Sequence, residues 1–487
     1  MIKNQAQLIT YADSLGGDLR TLHTVLTHHF AGLFGGVHIL PFYPSSGDRG
    51  FAPVDYRQVD PAFGTWKDVR RIGAQFDILA DVMINHISRR SPEFQDFLRH
   101  GRRSRYADMF ITLDKVWPDG NPPDSDVRRI FLRRPEHPFA DITIEATGEV
   151  ERVWATFGSR EDPEQIDLDI HSPLTRQFIK DLLSYLHDQG ITILRLDAVG
   201  YVIKKPGTSC FFVEPEIYAF LDWLQNYATT LGMTLLPEVH ASRDTQLQLA
   251  EHGQWVYDFT LPLLTLHTLF TQSSVTLREV LRTAPQQQFT MLDCHDGIPV
   301  QPDLDGILPA EASQAVVARL LERGADCSHL YTRELACEGF DAHQVCITYY
   351  SALNEKDDAY LAARAIQFFA PGVPQVYYVG LLAGNNDYEA VKNTGERRAI
   401  NRHNYSLDEI EAAVERPVVK RLFDLIRFRN SYPAFDGTLT VHDTPEDELR
   451  LSWQNGASTC TLDVNLRTQR AEIAYRDTGG GWATLTV

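Results

Sequence analysis

The chain has 487 residues, of which 43% are hydrophobic, 23% charged and 10% aromatic, and its formal net charge is −19. Surfaces that bind nucleic acid are basic, so this acidic balance argues against a nucleic-acid partner. No stretch approaches the ~20 unbroken apolar residues that a membrane helix needs, and the first residues lack the basic-then-apolar pattern of a secretory signal. We therefore expect a cytoplasmic protein with no membrane contact.

The cysteines and glycines offer no sign of a metal or a cofactor. The six cysteines form no CxxC pair and show no metal-ligand spacing. The sequence has no GxGxxG after a strand and no P-loop. We therefore predict no organic cofactor, no metal, and buried, reduced thiols at all six positions. These are Cys210, Cys294, Cys327, Cys337, Cys346 and Cys460.

Short apolar runs alternate with longer amphipathic segments, such as the predicted helix at 172–190. Polar residues follow the ends of several runs, which favours a (β/α)8 TIM barrel, whose functional residues lie at the carboxyl ends of many strands. A doubly wound sheet would instead use a single crevice. The runs that are typical of buried parallel strands are 37–40, 78–84, 192–199, 234–239 and 288–293.

The strand and helix rhythm breaks at three places, which predicts additions to the barrel. Residues 87–167 are rich in Arg, Asp and Pro and predict a small inserted domain after the third strand. Residues 298–350 predict a second irregular insertion, and 434–487 alternate apolar and polar residues like a C-terminal antiparallel β domain. The barrel itself is then assigned to 1–86, 168–297 and 351–433.

Three acids lie at predicted strand ends: Asp197, Glu238 and Asp296. Cleavage of a glycosidic bond with retention needs one carboxylate as nucleophile and one carboxylic acid that later acts as base. A third carboxylate can stabilise the positive charge of the transition state. Pro237 directly precedes Glu238 and lacks a backbone donor, so we expect the end of that strand to be shifted slightly.

The segments around these acids are LRLDAVGY at 194–201, LLPEVH at 235–240 and LDCHDG at 292–297. Together with DVMINH at 81–86, they resemble the motifs of the α-amylase superfamily of glycoside hydrolases and occur in the same order. The resemblance implies that Asp197 is the nucleophile, Glu238 the general acid/base and Asp296 the transition-state stabiliser. Arg195 lies two residues before Asp197, on the same strand face, and can hold that carboxylate ionised by a charge-assisted hydrogen bond.

A narrower resemblance, to sucrose phosphorylase and its close relatives, covers nearly the whole chain through motifs such as GFAPVDY, GTSC, TYYSAL and INRH. Members of this group transfer glucose from an α-glucoside to inorganic phosphate, and a homodimer through the inserted domain would fit the group. The resemblance also implies a binding site for the donor sugar. Its residues are Asp48, Phe51, His86, Phe157, Arg195, Tyr201, His295 and Arg398.

Two segments are expected to decide which leaving group the donor carries: FLRRPEHPF at 131–139 and GFDAHQ at 339–344. Sucrose phosphorylases tend to have a tyrosine-led arginine–proline pattern in the first and an aspartate followed by a tyrosine–glutamine pair in the second. Here an arginine replaces the proline and a histidine replaces the tyrosine. The predicted acceptor and phosphate residues are Arg133, Arg134, Asp341, His343, Gln344 and Lys205.

Two adjacent arginines and a histidine suit a phosphate monoester dianion. We therefore predict that the small-molecule substrates are a phosphorylated sucrose, sucrose 6F-phosphate, and inorganic phosphate, and that the products are glucose 1-phosphate and fructose 6-phosphate. Phosphorolysis of sucrose, glucosylglycerol or glucosylglycerate remains open, because only these loop residues discriminate. A plain α-glucoside hydrolase is a further alternative, whereas a non-catalytic relative disagrees with the intact set of three acids.

Overall fold

The computed structural model describes residues 2–158, 163–331, 340–477 and 479–487. Eight parallel strands, here β1 to β8, form its central sheet, in the spatial order β6-β7-β8-β1-β2-β3-β4-β5. The two outer strands, β5 and β6, contact each other, so the sheet curls into a barrel. The strands are Gln7–Thr10, Gly36–Ile39, Asp77–Met83, Ile193–Asp197, Thr234–Pro237, Val256–Asp258, Gln288–Thr290 and Val373–Tyr377.

The predicted TIM barrel is confirmed, and all five predicted strands belong to it. Three barrel strands, β1, β6 and β8, were not assigned from the sequence. The predicted helix at 172–190 spans Pro173–Asp188. Ser172 caps it by accepting hydrogen bonds from the backbone of its first turn, and proline stands at the position where no backbone donor is needed.

Helices cover the outside of the barrel and recur in the additions to it. In the described part of the chain they span Leu19–His28, Trp66–Gly73, Pro92–His100, Leu113–Val116, Asp124–Val127, Pro173–Asp188, Glu216–Thr230, Arg243–Glu251, Leu261–Thr271, Val275–Arg282, Ala310–Glu322, Tyr349–Ala352, Asp357–Phe369, Tyr378–Leu381, Tyr388–Thr394, Leu407–Val414 and Pro417–Ser431. Short 3-10 turns lie at Asp48–Gly50, Gly101–Arg103, Ala107–Met109, Val199–Tyr201, Arg397–Asn401 and Pro433–Asp436.

Between β3 and β4 the chain forms its own small core, where Phe94, Phe97 and Phe110 pack together. Its first and last strands, His86–Ser88 and Gln165–Asp167, pair with each other and so close the insertion at its base. A hairpin of Phe139–Thr143 and Val150–Trp154 lies between them. The insertion therefore returns to the barrel rim close to where it left.

Two more sheets lie outside the barrel. Ile298–Pro299, Ala342–Cys346 and Asp326–His329 form a small antiparallel sheet between β7 and β8. The C-terminal sheet has five antiparallel strands, and its Trp453 is buried and donates a hydrogen bond to Phe369 O of a barrel helix. Its strands are Thr438–Val441, Glu448–Asn455, Ser458–Asn465, Arg470–Arg476 and Trp482–Thr486.

No helix among the described residues is long and apolar enough to cross a membrane. Five of the six cysteines are free and buried, and the sixth, Cys337, lies outside the described residues. Burial raises the pKa of the Cys346 thiol to about 11, so it stays protonated at neutral pH.

A buried ion pair ties the insertion to the barrel. Lys204 Nζ lies 2.7 Å from Asp167 Oδ2, and both side chains are almost fully buried. Lys204 follows β4, and Asp167 ends the last strand of the insertion. Lys205, although adjacent, is half exposed and pairs with Glu216 at the surface. The two neighbouring lysines therefore have different structural roles.

Lys204→Met should lower the free energy of unfolding by about 3–5 kcal/mol, because it leaves Asp167 buried without its counter-ion. Urea denaturation followed by circular dichroism measures this. Lys205→Met is the matched control and should leave the midpoint unchanged, because its partner is solvated. Equal effects of the two substitutions would contradict the assignment.

Candidate active site

The three predicted acids meet in one pocket at the carboxyl ends of the strands. Asp197 is the last residue of β4, Glu238 directly follows β5, and Asp296 lies six residues after β7. All three line the pocket. Pro237 is the last residue of its strand, and the Glu238 N–H donates to Leu196 O at 3.1 Å, so the strand end keeps its register despite the proline.

Arg195 contacts two of these acids from the barrel side of the pocket. Its Nη1 lies 2.8 Å from Asp197 Oδ1, and its Nη2 lies 2.9 Å from Glu238 Oε1. Nη1 also contacts Asp81 Oδ1 at 2.5 Å, and the arginine side chain is only 4% exposed. One buried guanidinium therefore fixes three carboxyl groups from three neighbouring strands.

Asp81 extends this network toward β2. Its second oxygen, Oδ2, lies 2.7 Å from His38 Nε2. Burial raises the pKa of Asp81, but His38 and Arg195 outweigh burial, so the pKa lies below its ordinary value. Asp81 is therefore ionised and holds Arg195 in place beneath the pocket.

Asp197 and Glu238 share Arg195 and differ in their proton affinity. Burial, and then the charge of Glu238, raise the pKa of Asp197 well above its ordinary value. Burial also opposes the ionisation of Glu238, but Arg195 and His240 outweigh it and lower the pKa of this carboxyl. Of the two carboxyls, Asp197 therefore binds a proton more strongly than Glu238.

Ala198, the residue after Asp197, forms a hydrogen bond with the second carboxyl, Glu238. Ala198 has a left-handed backbone conformation, with φ of 54°, and its N–H donates to Glu238 Oε2 at 3.0 Å. A non-glycine residue in this region is strained and persists where the surroundings impose it. The strained turn thus supplies one more donor to the carboxylate of Glu238.

Asp296 is held on its other side by two arginines and by the imidazole of His295. Its Oδ1 lies 2.9 Å from Arg398 Nη1 and 3.7 Å from Arg402 Nη2, and its Oδ2 lies 3.3 Å from His295 Nε2. Burial raises the pKa of Asp296, but Arg398 and then His295 outweigh burial, so the pKa falls well below its ordinary value. Asp296 is therefore a carboxylate across the working pH range.

Aromatic rings form the wall of the pocket. Phe51 stacks on His295 with ring centroids 5.0 Å apart, and Phe157 lies 5.1 Å from Tyr201. Burial lowers the pKa of His295 to about 3 and also lowers the pKa of His86, so both imidazoles are neutral. Neutral imidazoles can donate to or accept from sugar hydroxyl groups.

The predicted donor-sugar residues are brought together. Seven of them line the pocket, and Arg195 lies buried beneath it. Asp48 Oδ1 lies 3.8 Å from Arg398 Nη1, so these two lie beside each other on the pocket wall. The turn that carries Asp48 and Phe51 depends on Gly50, whose φ is +109° and where a Cβ would lie 2.6 Å from Pro41 O. The lining residues of this set are Asp48, Phe51, His86, Phe157, Tyr201, His295 and Arg398.

Of the predicted acceptor residues, Arg133 and Gln344 line the pocket, and His343 lies behind Arg133. His343 Nδ1 lies 2.6 Å from Gln301 O, and since a carbonyl oxygen only accepts, Nδ1 carries the proton. His343 Nε2 then accepts from Arg133 Nη1 at 2.5 Å. In this structure His343 contacts Arg133 and does not itself line the pocket, so its predicted contact with the ligand stays a prediction.

Three predicted acceptor residues lie away from the pocket in this structure. The Arg134 side chain is buried and donates to the backbone oxygens of His137 and Phe139. Lys205 pairs with Glu216, and Asp341 lies 2.8 Å from the exposed His329. Neighbouring loop residues point in different directions, which the sequence pattern does not reveal. Gly339 of the second predicted segment lies outside the described residues.

The sequence analysis missed four lining residues: Gln165, Ala198, Phe211 and His240. A usable signal existed only for His240, which follows Glu238 by two residues, as Asp197 follows Arg195. Gln165 belongs to the last strand of the insertion and donates to Phe51 O at 2.9 Å. Phe211 stands in a loop without periodicity.

One group of potential metal ligands was found among the described residues: Cys294, His295 and Asp296, whose ligand atoms lie within 4.8 Å of one another. Arg398 and Arg402 already contact the carboxylate of Asp296. These positive charges disfavour a bound metal cation at this group.

Comparison with known proteins agrees with this geometry. Residues 17–280 match the family model described as Alpha amylase, catalytic domain. The chain is 56% identical over 480 residues to sucrose 6(F)-phosphate phosphorylase of Thermoanaerobacterium thermosaccharolyticum, and 42% identical over 481 residues to glucosylglycerol phosphorylase of Marinobacter adhaerens. These alignments cover 98% of both chains in the first case, and 99% of this chain and 98% of the relative in the second.

A crystal structure of sucrose 6F-phosphate phosphorylase from Thermoanaerobacter thermosaccharolyticum superposes with a TM-score of 0.98 at 55% identity. The superposition covers 100% of this chain and 99% of that one. The protein therefore belongs to the α-amylase family, within the group of its phosphorylases.

Proposed function

We propose that the protein catalyses the retaining phosphorolysis of sucrose 6F-phosphate to α-D-glucose 1-phosphate and fructose 6-phosphate. The observation that carries this assignment is the guanidinium of Arg133 on the pocket wall, oriented by His343. The identity to a relative named sucrose 6(F)-phosphate phosphorylase supports the same donor. Phosphorolysis of sucrose and of glucosylglycerol are the alternatives that its other relatives carry by name.

In the first half-reaction, Asp197 attacks the anomeric carbon of the glucosyl unit as fructose 6-phosphate leaves. Glu238 protonates the departing oxygen, so the proton that the pair retains must reside on Glu238 at this moment. A sugar ring that enters between the carboxyls would separate Glu238 from Arg195 and favour this transfer. Arg195 then stays with Asp197 and keeps it ionised.

Asp296 is suited to stabilise the oxocarbenium-like charge that develops on the sugar. Its pKa lies well below the ordinary range, so it carries a full negative charge in the pocket. Asp48 and Arg398 would grip the distal hydroxyls of glucose, and Phe51 would support the ring through its apolar face. The resulting intermediate is a β-glucosyl ester of Asp197.

In the second half-reaction, phosphate attacks the ester on the face that fructose 6-phosphate has left. Arg133 lies on this side of the pocket and can bind the incoming anion. Arg133 would thus serve the phosphate group of the donor in one step and inorganic phosphate in the other. The predicted acceptor roles of Arg134, Asp341 and Lys205 require a rearrangement of their loops and stay predictions, as does the homodimer.

The first test compares phosphate-dependent release of glucose 1-phosphate from sucrose 6F-phosphate and from sucrose. We expect a strong preference in kcat/KM for the phosphorylated donor. Preference for sucrose would keep the mechanism and overturn the donor assignment, and activity on neither would point to glucosylglycerol or glucosylglycerate. Release of glucose that does not depend on phosphate would make the enzyme a hydrolase.

Arg133→Ala should lower kcat/KM for sucrose 6F-phosphate about 10- to 150-fold, since a hydrogen bond to a charged group contributes about 1.5–3 kcal/mol. The value for sucrose should change much less, so the preference for the phosphorylated donor should shrink. Arg128→Ala, at an exposed neighbouring arginine, is the matched control. Equal losses on both donors would refute a contact between Arg133 and the donor phosphate.

The roles of the two carboxyls can be separated with α-glucosyl fluoride, whose leaving group needs no acid. Glu238→Gln should still form the glucosyl-enzyme from this donor and accumulate it, whereas Asp197→Asn should form none. Mass spectrometry of the quenched protein detects the added glucosyl residue and its site. A label on any residue other than Asp197 would reverse the assignment.

A further inference from the structure

The imidazole of His240 lies in the pocket beside Glu238, between two acids. Its Nδ1 lies 3.0 Å from Asp303 Oδ2, and its Nε2 lies 3.5 Å from Glu238 Oε1. The ring stacks on Phe259 with centroids 4.1 Å apart, which fixes its plane. His240 lines the pocket, whereas Asp303 lies behind it.

Asp303 is a buried acid that takes no part in either half-reaction. It is 1% exposed, and its Oδ1 has no hydrogen-bond partner among the described residues, so His240 is the main compensation for its burial. The backbone around it is fixed, because Val300 N donates to His343 O and Gln301 N donates to Ala342 O. A buried carboxylate in a fixed segment is well placed to orient a single ring.

The surroundings of His240 favour its charged form. Burial lowers the pKa of His240, but Asp303 and then Glu238 outweigh burial and raise it to about 9. The other groups that face the ring are the neutral His343, with its centroid 5.6 Å away, and the amide of Gln344. Arg133, which contacts His343, adds a further positive charge on this side.

The two histidines of the acceptor side therefore differ. His343 uses both nitrogens within the protein, and burial together with Arg133 lowers its pKa well below the ordinary value. His240 points one N–H into the pocket and has an acid at its back. The sequence analysis expected the phosphate-binding histidine at position 343, whereas the histidine of this side that lines the pocket is His240.

We propose that Asp303 is a positioning residue, whose buried carboxylate orients and charges His240 so that this imidazolium meets the anionic acceptor beside Glu238. The proposal rests on the proposed function. Monohydrogen phosphate approaches the glucosyl-enzyme next to the carboxylate of Glu238, which repels it. A fixed cation between the two anions offsets that repulsion.

The chemical step balances without any further reactant. An unprotonated oxygen of monohydrogen phosphate forms the bond to the anomeric carbon as the ester bond to Asp197 breaks. The electron pair of that bond returns to Asp197 as a carboxylate. The remaining proton of the phosphate passes to Glu238, which is thereby restored as the acid for the next turnover, and glucose 1-phosphate leaves as the dianion. The proton of His240 stays where it is, so the imidazolium acts by its charge and its hydrogen bond.

The test uses α-glucosyl fluoride as donor and measures the ratio of glucose 1-phosphate to free glucose at fixed phosphate between pH 6 and 10. For Asp303→Asn, the pKa of His240 should fall toward the ordinary ~6.5, so the ratio should drop about 30-fold relative to wild type at pH 8. Near pH 6 the two proteins should converge, because His240 is then mostly charged in both. Asp303→Glu should restore most of the ratio.

A purely structural role of Asp303 would lower the ratio equally at all pH values, and that outcome would overturn the proposal, as would an unchanged profile. If Asp303→Asn does not fold, the ¹⁵N shifts of the His240 ring in wild-type protein, assigned with His240→Gln, decide the matter. Both ring nitrogens should be protonated at pH 8, and a neutral ring would overturn the proposal. Wild-type enzyme that releases glucose but no glucose 1-phosphate would instead overturn the proposed function itself.

Discussion

The site depends on one buried guanidinium. Arg195 contacts Asp81, Asp197 and Glu238, which come from three adjacent strands of the barrel. A buried charge is costly unless it is well paired, so this arginine cannot be removed without leaving several carboxyls unbalanced. The same contact sets the spacing of the two acids and their unequal affinity for a proton. The barrel strands supply the rigid frame on which that balance rests.

Much of the fold and the central acids could be predicted from the sequence, because their signals are local. Apolar runs followed by Asp or Glu indicate strands that end at a barrel rim, and the two-residue spacing correctly placed Arg195 against Asp197. The additional contacts of Arg195 with Asp81 and Glu238 were out of reach, because they arise only when the strands lie side by side. The short strand Val256–Asp258 was not assigned from the sequence.

The positions of the predicted acceptor residues could not be derived from the sequence for a related reason. Arg133 and Arg134 are neighbours in an irregular loop, yet only the first faces the pocket. His343 has the expected residue type, but both of its ring nitrogens form hydrogen bonds to other protein groups. His240 was overlooked, although it follows Glu238 by two residues just as Asp197 follows Arg195. Side-chain direction in loops is set by partners distant in sequence, such as Gln301 and Asp303.

The insertion between β3 and β4 closes on itself at its base, where His86–Ser88 pairs with Gln165–Asp167. Arg133 stands within that closed segment, and His343 stands in the separate sheet before β8. Substitutions in these two segments can therefore accumulate without altering the strands that carry the acids. This modularity offers a physical reason why one catalytic frame could diversify toward donors with different leaving groups by change in peripheral segments alone.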